Sequence, residues 1–240
     1  MQKNKIKAIL FDSGKVLNFP ASGHWFITPN FFDYVEKEKF DGLDEKRISH
    51  AFKKANKYID TVKLIQTREE ELEHFTKFYR IFATELSELN LSSEKIELLA
   101  KDLVYNPEKY VFYDDALQVL SDLRGKYKLG IVSDAWPSLR DVYVKQGLDT
   151  YFDSFVISSL AGVTKPDEKM YTTALHELGV LPKEAVFVDD NLENCVGAGK
   201  LGIHSVLLCR NNWVYRWNKL KSIGKRYCVI NTLKQLNEIL

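Results

Sequence analysis

Three short apolar runs in this 240-residue chain stop at residues suited to phosphate chemistry, and a lysine lies in a fourth connection. The run from Lys5 to Phe11 ends at Asp12, which has the chemistry of a nucleophile or a metal ligand. The run from Tyr127 to Val132 ends at Ser133-Asp134, where a hydroxyl and backbone N–H groups at a helix start would suit an anion. Glu184 to Val188 ends at Asp189-Asp190, a pair able to hold a hard cation through oxygen. Lys165 would neutralise phosphate charge. Each residue also has a plain structural role open to it: Asp12 as a turn residue, Ser133 and the Asp189-Asp190 pair as helix caps, Lys165 as a solvated loop lysine. Any one residue alone favours the structural role. All of them, ordered so as to converge on one sheet edge, favour chemistry.

The elements that must position these residues follow from periodicity. Short β-branched and apolar runs bounded by Ser, Gly and Asp read as buried strands. After Leu17, residues 18–30 contain Pro20, Gly23 and Pro29 and read as a linker. From Phe31 to about Tyr105 the pattern is helical. Phe31-Phe32 with Val35 opens it; Ile48, Ala51, Phe52, Ala55 and Ile59 follow, from near Asp44. Leu72, Phe75, Phe78, Tyr79 and Phe82 form an aromatic stripe that reads as a bundle core, and Ile96, Leu99 and Leu103 follow caps at Ser92-Ser93. From Asp114, helices and strands alternate: helix to Lys126, strand to Val132, helix after Pro137, strand from Phe152 to Ser158, loop to Lys165, helix from Pro166 to Leu178. Strand Glu184–Val188, a helix from Leu192 to Gly202, strand Ile203–Leu208, strand Tyr227–Ile230 and a terminal helix from Thr232 complete the pattern. Such alternation predicts an α/β fold with a mostly parallel sheet and right-handed crossovers.

Composition sets the outer bounds. Apolar residues make up 45%, enough for a substantial core, and the net charge of +1 argues against bulk nucleic-acid or anionic-membrane binding as the main role. Neither a nucleic-acid nor a membrane partner is expected. No apolar h-region precedes the first strand and no run approaches a membrane span, so neither a signal peptide nor a spanning helix is expected. Cys195, Cys209 and Cys228 form no C-x-x-C pair and fit buried reduced thiols in a cytoplasmic protein.

Four stretches together resemble the haloacid dehalogenase superfamily of hydrolases: Phe11-Asp12-Ser13-Gly14-Lys15-Val16-Leu17, Ile131-Val132-Ser133-Asp134-Ala135, Thr164-Lys165-Pro166-Asp167, and Val186-Phe187-Val188-Asp189-Asp190-Asn191-Leu192-Glu193-Asn194. The resemblance implies a Rossmann-like core formed by residues 1–17 and 107–240 and a four-helix cap formed by residues 18–106. It further implies an Mg²⁺-dependent phosphatase acting on a small phosphorylated metabolite, such as a sugar phosphate, through an aspartyl-phosphate on Asp12. Mg²⁺ would be held by Asp12, the Gly14 carbonyl and Asp190, with Asp189 directly or through water. Ser133, Asp134 and Lys165 would bind the phosphoryl group.

Two features depart from that pattern. Phosphatases of the family usually carry a second Asp two residues after the nucleophile, and here that position is Gly14. This leaves open a metal-independent, dehalogenase-like hydrolase or a binding protein with impaired catalysis, and makes Asp134 or His24 candidate substitute proton carriers. No acidic residue occurs between Glu193 and Glu238, whereas Arg210, Trp213, Tyr215, Arg216, Trp217, Lys219, Lys221, Lys225 and Arg226 do. The favoured reading is a basic surface excursion whose aromatics pack on the core, ahead of base stacking on a nucleic acid.

Overall fold

In a computed structural model, which describes residues 6–240, the chain opens with strand β1 (Ala8–Phe11) and a short β2 (Asn18–Pro20). The Lys5 start of the first expected strand and the leader reading of residues 1–5 lie outside the described residues. Among the described residues five helices follow: α1 (Phe31–Tyr34), α2 (Lys37–Asp41), α3 (Glu45–Ile59), α4 (Arg68–Glu85) and α5 (Ser93–Tyr105). The expected four are therefore five. Val35 is extended (φ −106°, ψ 124°) and turns inward to full burial, which splits the first segment in two. Caps set the longer helices. Asp44 accepts the Lys46 and Arg47 amides at α3, Thr67 and Glu70 form a reciprocal box at α4, and Ser92 accepts the Lys95 amide at α5.

The alternating half holds β3 (Tyr110–Phe112), α6 (Asp114–Leu123), β4 (Lys128–Ser133), α7 (Leu139–Lys145), β5 (Ser154–Ile157), α8 (Ser158–Ala161) and α9 (Glu168–Leu178). It continues with β6 (Ala185–Asp189), α10 (Leu192–Lys200), β7 (His204–Leu208), α11 (Asn212–Lys221) and β8 (Tyr227–Ile230). The expected terminal helix is a 3₁₀ segment, Leu233–Glu238, and the expected loop after Ser158 begins with α8. On α6, Ala116, Val119, Leu120 and Leu123 are buried, while Leu117 is exposed.

The chain forms two compact units. Unit 1 comprises Met1–Phe19, Phe112–Ala135 and Gly147–Leu240; unit 2 comprises Pro20–Val111 and Trp136–Gln146. In unit 1 a six-stranded parallel sheet runs in the order β5-β4-β1-β6-β7-β8. All four residues of β1 are fully buried, as expected for a parallel strand covered on both faces. Ala8 and Leu10 pack with Met170, Tyr171, Ala174 and Leu178 of α9 and with Phe187, while Ile9 and Phe11 point to the opposite face. The chain passes from β1 to β4 and β5 on one side, then returns to β6 on the other. The reversal places the carboxyl ends of β1 and β6 side by side, where open α/β sheets bind ligands.

Unit 2 is helical and aromatic. Phe75, Phe78, Tyr79 and Phe82 of α4 are fully buried against Phe26, Phe31, Phe52 and Trp136, so the stripe is a bundle core. Its polar seam is also buried. Glu71 accepts the Ser138 amide at 2.8 Å, and Lys109 Nζ donates to Ser138 Oγ at 2.6 Å and to the Leu103 carbonyl at 2.7 Å. Among the described residues no helix is long and apolar enough to cross a membrane.

Candidate active site

Register brings the first carboxylates together. Phe11 pairs with Val188 of β6 and with Ile131 of β4, so Asp12 emerges level with Asp189 and one residue short of Ser133. Asp12 leads into a tight turn in which the Leu17 amide donates to the Ser13 carbonyl at 2.8 Å and Asn18 Nδ2 to Ser13 Oγ at 2.7 Å. The left-handed residue of that turn is Lys15 (φ 60°), one position past Gly14.

Lys165 closes the site. Its ammonium donates to Asp12 Oδ1 at 2.7 Å and to Asp189 Oδ2 at 2.8 Å, and its side chain is only 1% exposed. Lys165 is therefore no solvated loop lysine. Burial opposes its charge, but Asp12, Asp189 and Asp134 together outweigh that and hold the ammonium above its ordinary value. Asp134 also accepts the Lys165 amide at 2.9 Å, which ties the end of β4 to the lysine loop.

Neither Ser133 nor the aspartate pair serves as a helix cap. Ser133 is buried at the end of β4, and α7 starts six residues later; the expected helix start at this serine is absent for the same reason. Asn191 caps α10 in place of Asp189 and Asp190, accepting the Glu193 amide at 2.8 Å. Asp189 is fully buried. Its Oδ1 accepts the Asn191 amide at 2.7 Å, and its Oδ2 accepts Asn194 Nδ2 at 3.0 Å besides Lys165. Burial, then repulsion from Asp12, raises the Asp189 carboxyl against the pull of Lys165. Asp190 is less enclosed; burial and Asp12 raise it too, and its Oδ2 lies 3.7 Å from the exposed Lys15 ammonium.

Asp12, Asp189 and Asp190 each offer one carboxylate oxygen, all within 4.8 Å of one another. An all-oxygen set with more carboxylates than Lys165 balances fits a hard divalent cation. His24 belongs to unit 2, where its Nδ1 accepts the Phe26 amide at 3.2 Å and its ring lies 4.4 Å from that of Phe52.

Two residues that the sequence reading names without a role at the site support it. Asn194 is a polar residue buried on the inner side of the first turn of α10, a weak signal in the sequence. Arg210 belongs in sequence to the basic stretch, yet it clamps the turn after Asp12. Its guanidinium donates to the Lys15 carbonyl at 3.2 Å, to the Val16 carbonyl at 2.8 Å and to both Asp115 oxygens at 3.2 and 3.0 Å, and it lies 3.6 Å from the Tyr113 ring. Asp115 and Lys15 sit 95 and 195 residues away, and no local pattern announces them. The rest of the stretch corrects the expectation of packed aromatics. Tyr215 packs beside Leu207 and Val229, but Trp213 and Trp217 are 79% and 62% exposed. Cys195 and Cys209 are buried as expected, whereas Cys228 lies exposed on edge strand β8.

A family model described as haloacid dehalogenase-like hydrolase matches residues 6–202. A glyceraldehyde 3-phosphate phosphatase of Methanopyrus kandleri is 30% identical over 158 residues, covering 60% of this chain and 66% of that one. A phosphoserine phosphatase of Thermus thermophilus is 31% identical over 134 residues, covering 55% and 54%. The matched region thus spans between half and two thirds of these relatives. The solved L-2-haloacid dehalogenase of Xanthobacter autotrophicus superposes with a TM-score of 0.63 at 18% identity, covering 98% of each chain. That likeness is one of fold.

Proposed function

Because the chain belongs to the haloacid dehalogenase-like hydrolase family, we propose that it is a phosphatase that hydrolyses a small phosphorylated metabolite through an aspartyl-phosphate on Asp12. The observation that carries this reading is the meeting of Asp12, Lys165, Asp189 and Asp190 at one sheet edge. The two relatives named as phosphatases support the substrate class.

In this reading the Asp12 oxygen not engaged by Lys165 attacks phosphorus, and the bond to the leaving oxygen breaks. Lys165 holds Asp12 in place and, with the Ser133 hydroxyl and the Asp134 backbone, meets the phosphoryl oxygens as charge develops. Water then attacks phosphorus, the Asp12–phosphorus bond breaks, and phosphate leaves. Asp12, Asp190 and the Gly14 carbonyl would hold an Mg²⁺ ion, whose positive charge would offset the repulsion between the carboxylate and the phosphate. Both Asp189 oxygens already accept protein hydrogen bonds, which supports an indirect, water-mediated part for that residue. The helical unit is the part we assign to substrate selection.

Gly14 leaves the departing alkoxide without a neighbouring carboxylic acid at this position. General acid help is typically worth about 10²–10⁴-fold, so poor leaving groups should react slowly. The test is phosphate release from an activated aryl phosphate and a panel of small phosphate monoesters, with Mg²⁺ and with EDTA. Release that needs Mg²⁺, with Gly14→Asp favouring poor leaving groups, is expected. Halide release from a 2-haloacid in EDTA, without phosphate release, would replace this reading with the dehalogenase-like one. Inertness of the folded wild type and of Gly14→Asp toward every substrate would replace it with a binding protein.

A further inference from the structure

We propose that α11 is a membrane-contact element whose outward face rests on an anionic lipid surface. The helix is amphipathic in the reverse sense for a surface helix of a globular unit. Toward the sheet it presents Tyr215 and Asn218, the latter donating to Cys209 Sγ at 3.6 Å, while Lys219 Nζ reaches the Val229 carbonyl at 3.2 Å. Toward solvent it presents Trp213, Trp217 and Leu220, exposed by 79%, 62% and 68%, and Ile223 in the next turn is 79% exposed. The three helical residues stand at i, i+4 and i+7, so they form one continuous ridge. No residue of α11 is buried.

Charge identifies the occupant. Arg216 and Lys221 flank the ridge, with Arg216 5.8 Å from the Trp213 ring and Lys221 4.5 Å from the Trp217 ring. Lys225 and Arg226 follow, both exposed, and no acidic residue lies between Glu193 and Glu238. A Trp- and Leu-bearing ridge bordered by cations matches the physics of a helix lying in the headgroup region of an anionic bilayer, apolar side down. Ten residues are too few to span, so the helix would lie flat. Nucleic acid fits less well, because Leu220 and Ile223 have no rings with which to stack on bases. A second copy fits less well because self-pairing would bring the flanking cations of both copies together. The net charge of +1 describes the whole chain and does not weigh against this local patch.

The test is co-sedimentation of the full chain with vesicles of phosphatidylcholine alone and of phosphatidylcholine with phosphatidylglycerol, read together with tryptophan emission. Binding and a blue shift are expected with the anionic vesicles only. Trp213→Ala/Trp217→Ala should abolish the blue shift, and Arg216→Glu/Lys221→Glu should weaken partitioning by about fivefold or more for each cation removed. These side chains are exposed, and far-UV circular dichroism checks that both variants remain folded. The proposal is overturned if the wild type ignores anionic vesicles or if both variants bind like the wild type. It is equally overturned if the same variants abolish single-stranded DNA binding or dimer formation while vesicle binding is absent.

Discussion

Replacing Lys165 by Met keeps most of the side-chain volume and removes the charge that bridges Asp12 and Asp189 directly. Each contact, at 2.7 and 2.8 Å, corresponds to about 6 kcal/mol of gross attraction at an effective dielectric near 20. Desolvation of the buried groups cancels much of this, and breaking a buried pair by removing one partner costs about 3–5 kcal/mol net. Asp189 is already pushed up to about 7 by burial and by Asp12. In the variant it takes up a proton at little further cost, which sets the expected loss near the lower end, about 3 kcal/mol. The pH dependence follows. An acid whose folded value lies above its unfolded value of 3.8 binds more protons when folded, so stability falls as pH rises through that window and somewhat beyond it in the variant. The deficit of Lys165→Met should therefore be larger at pH 8 than at pH 5. Because the chain forms two units, the suitable assay is hydrogen exchange of the β1 and β6 amides in EDTA, which reads the opening of unit 1 alone. Adding Mg²⁺ should recover part of the loss by supplying the missing positive charge. A loss below about 1 kcal/mol, or one independent of pH, would refute Lys165 as the charge that holds this cluster together.

Three further outcomes test the supports of the site and of unit 2. A Cβ added at Gly197 would lie 2.6 Å from Pro166 Cβ and 3.3 Å from the Pro166 carbonyl, so Gly197→Ala must push the Lys165-Pro166 segment. It should cost about 1–3 kcal/mol in urea unfolding and lower activity as well; an unchanged midpoint would contradict the contact. Arg210→Met should cost about 2 kcal/mol and speed hydrogen exchange at the amides of the Ser13–Asn18 turn, because it removes charged bonds to two carbonyls and to Asp115. In unit 2, burial pulls Lys109 down to about 8 from 10.5. Between those values the unfolded chain keeps the proton that the folded chain has released, so unit 2 should gain stability from pH 8 to pH 10, and Lys109→Met should lose that slope.

Much of the core is legible in the sequence because its signals are local. The strands that carry the site, β1, β4 and β6, are short runs ended by a polar residue, whereas β2 and β3 are too short to announce themselves and β2 lies in the stretch that reads as a linker. Asp44 and Ser92 sit beside the helices they start. Asp12 meets Asp189 and Asp190 because parallel register carries the neighbouring ends of β1 and β6 to the same level, and Lys165 reaches them from the loop before α9. Non-local or three-dimensional facts stay hidden. Val35 ends the first helical segment with an extended backbone and a buried side chain, a three-dimensional choice that its apolar character alone does not announce. Trp136 and Ser138 follow β4 in sequence but pack against Phe75 and Glu71. Arg210 reads as one of many basic residues, because the carbonyls it clamps are nearly 200 positions away. The outward ridge of α11 escapes notice because an i, i+4, i+7 apolar pattern does not say which side faces the core.

The central claim is that Asp12 is the group that takes the phosphoryl. The most direct measurement is acid quench of the full chain during turnover of an activated aryl phosphate in Mg²⁺, followed by peptide mass spectrometry. The account predicts one phosphoryl group on the peptide containing Asp12, lost on standing at neutral pH and absent from Asp12→Asn, which should release no phosphate above background. Undiminished phosphate release by Asp12→Asn, or a phosphoryl group trapped on any other residue, would contradict it.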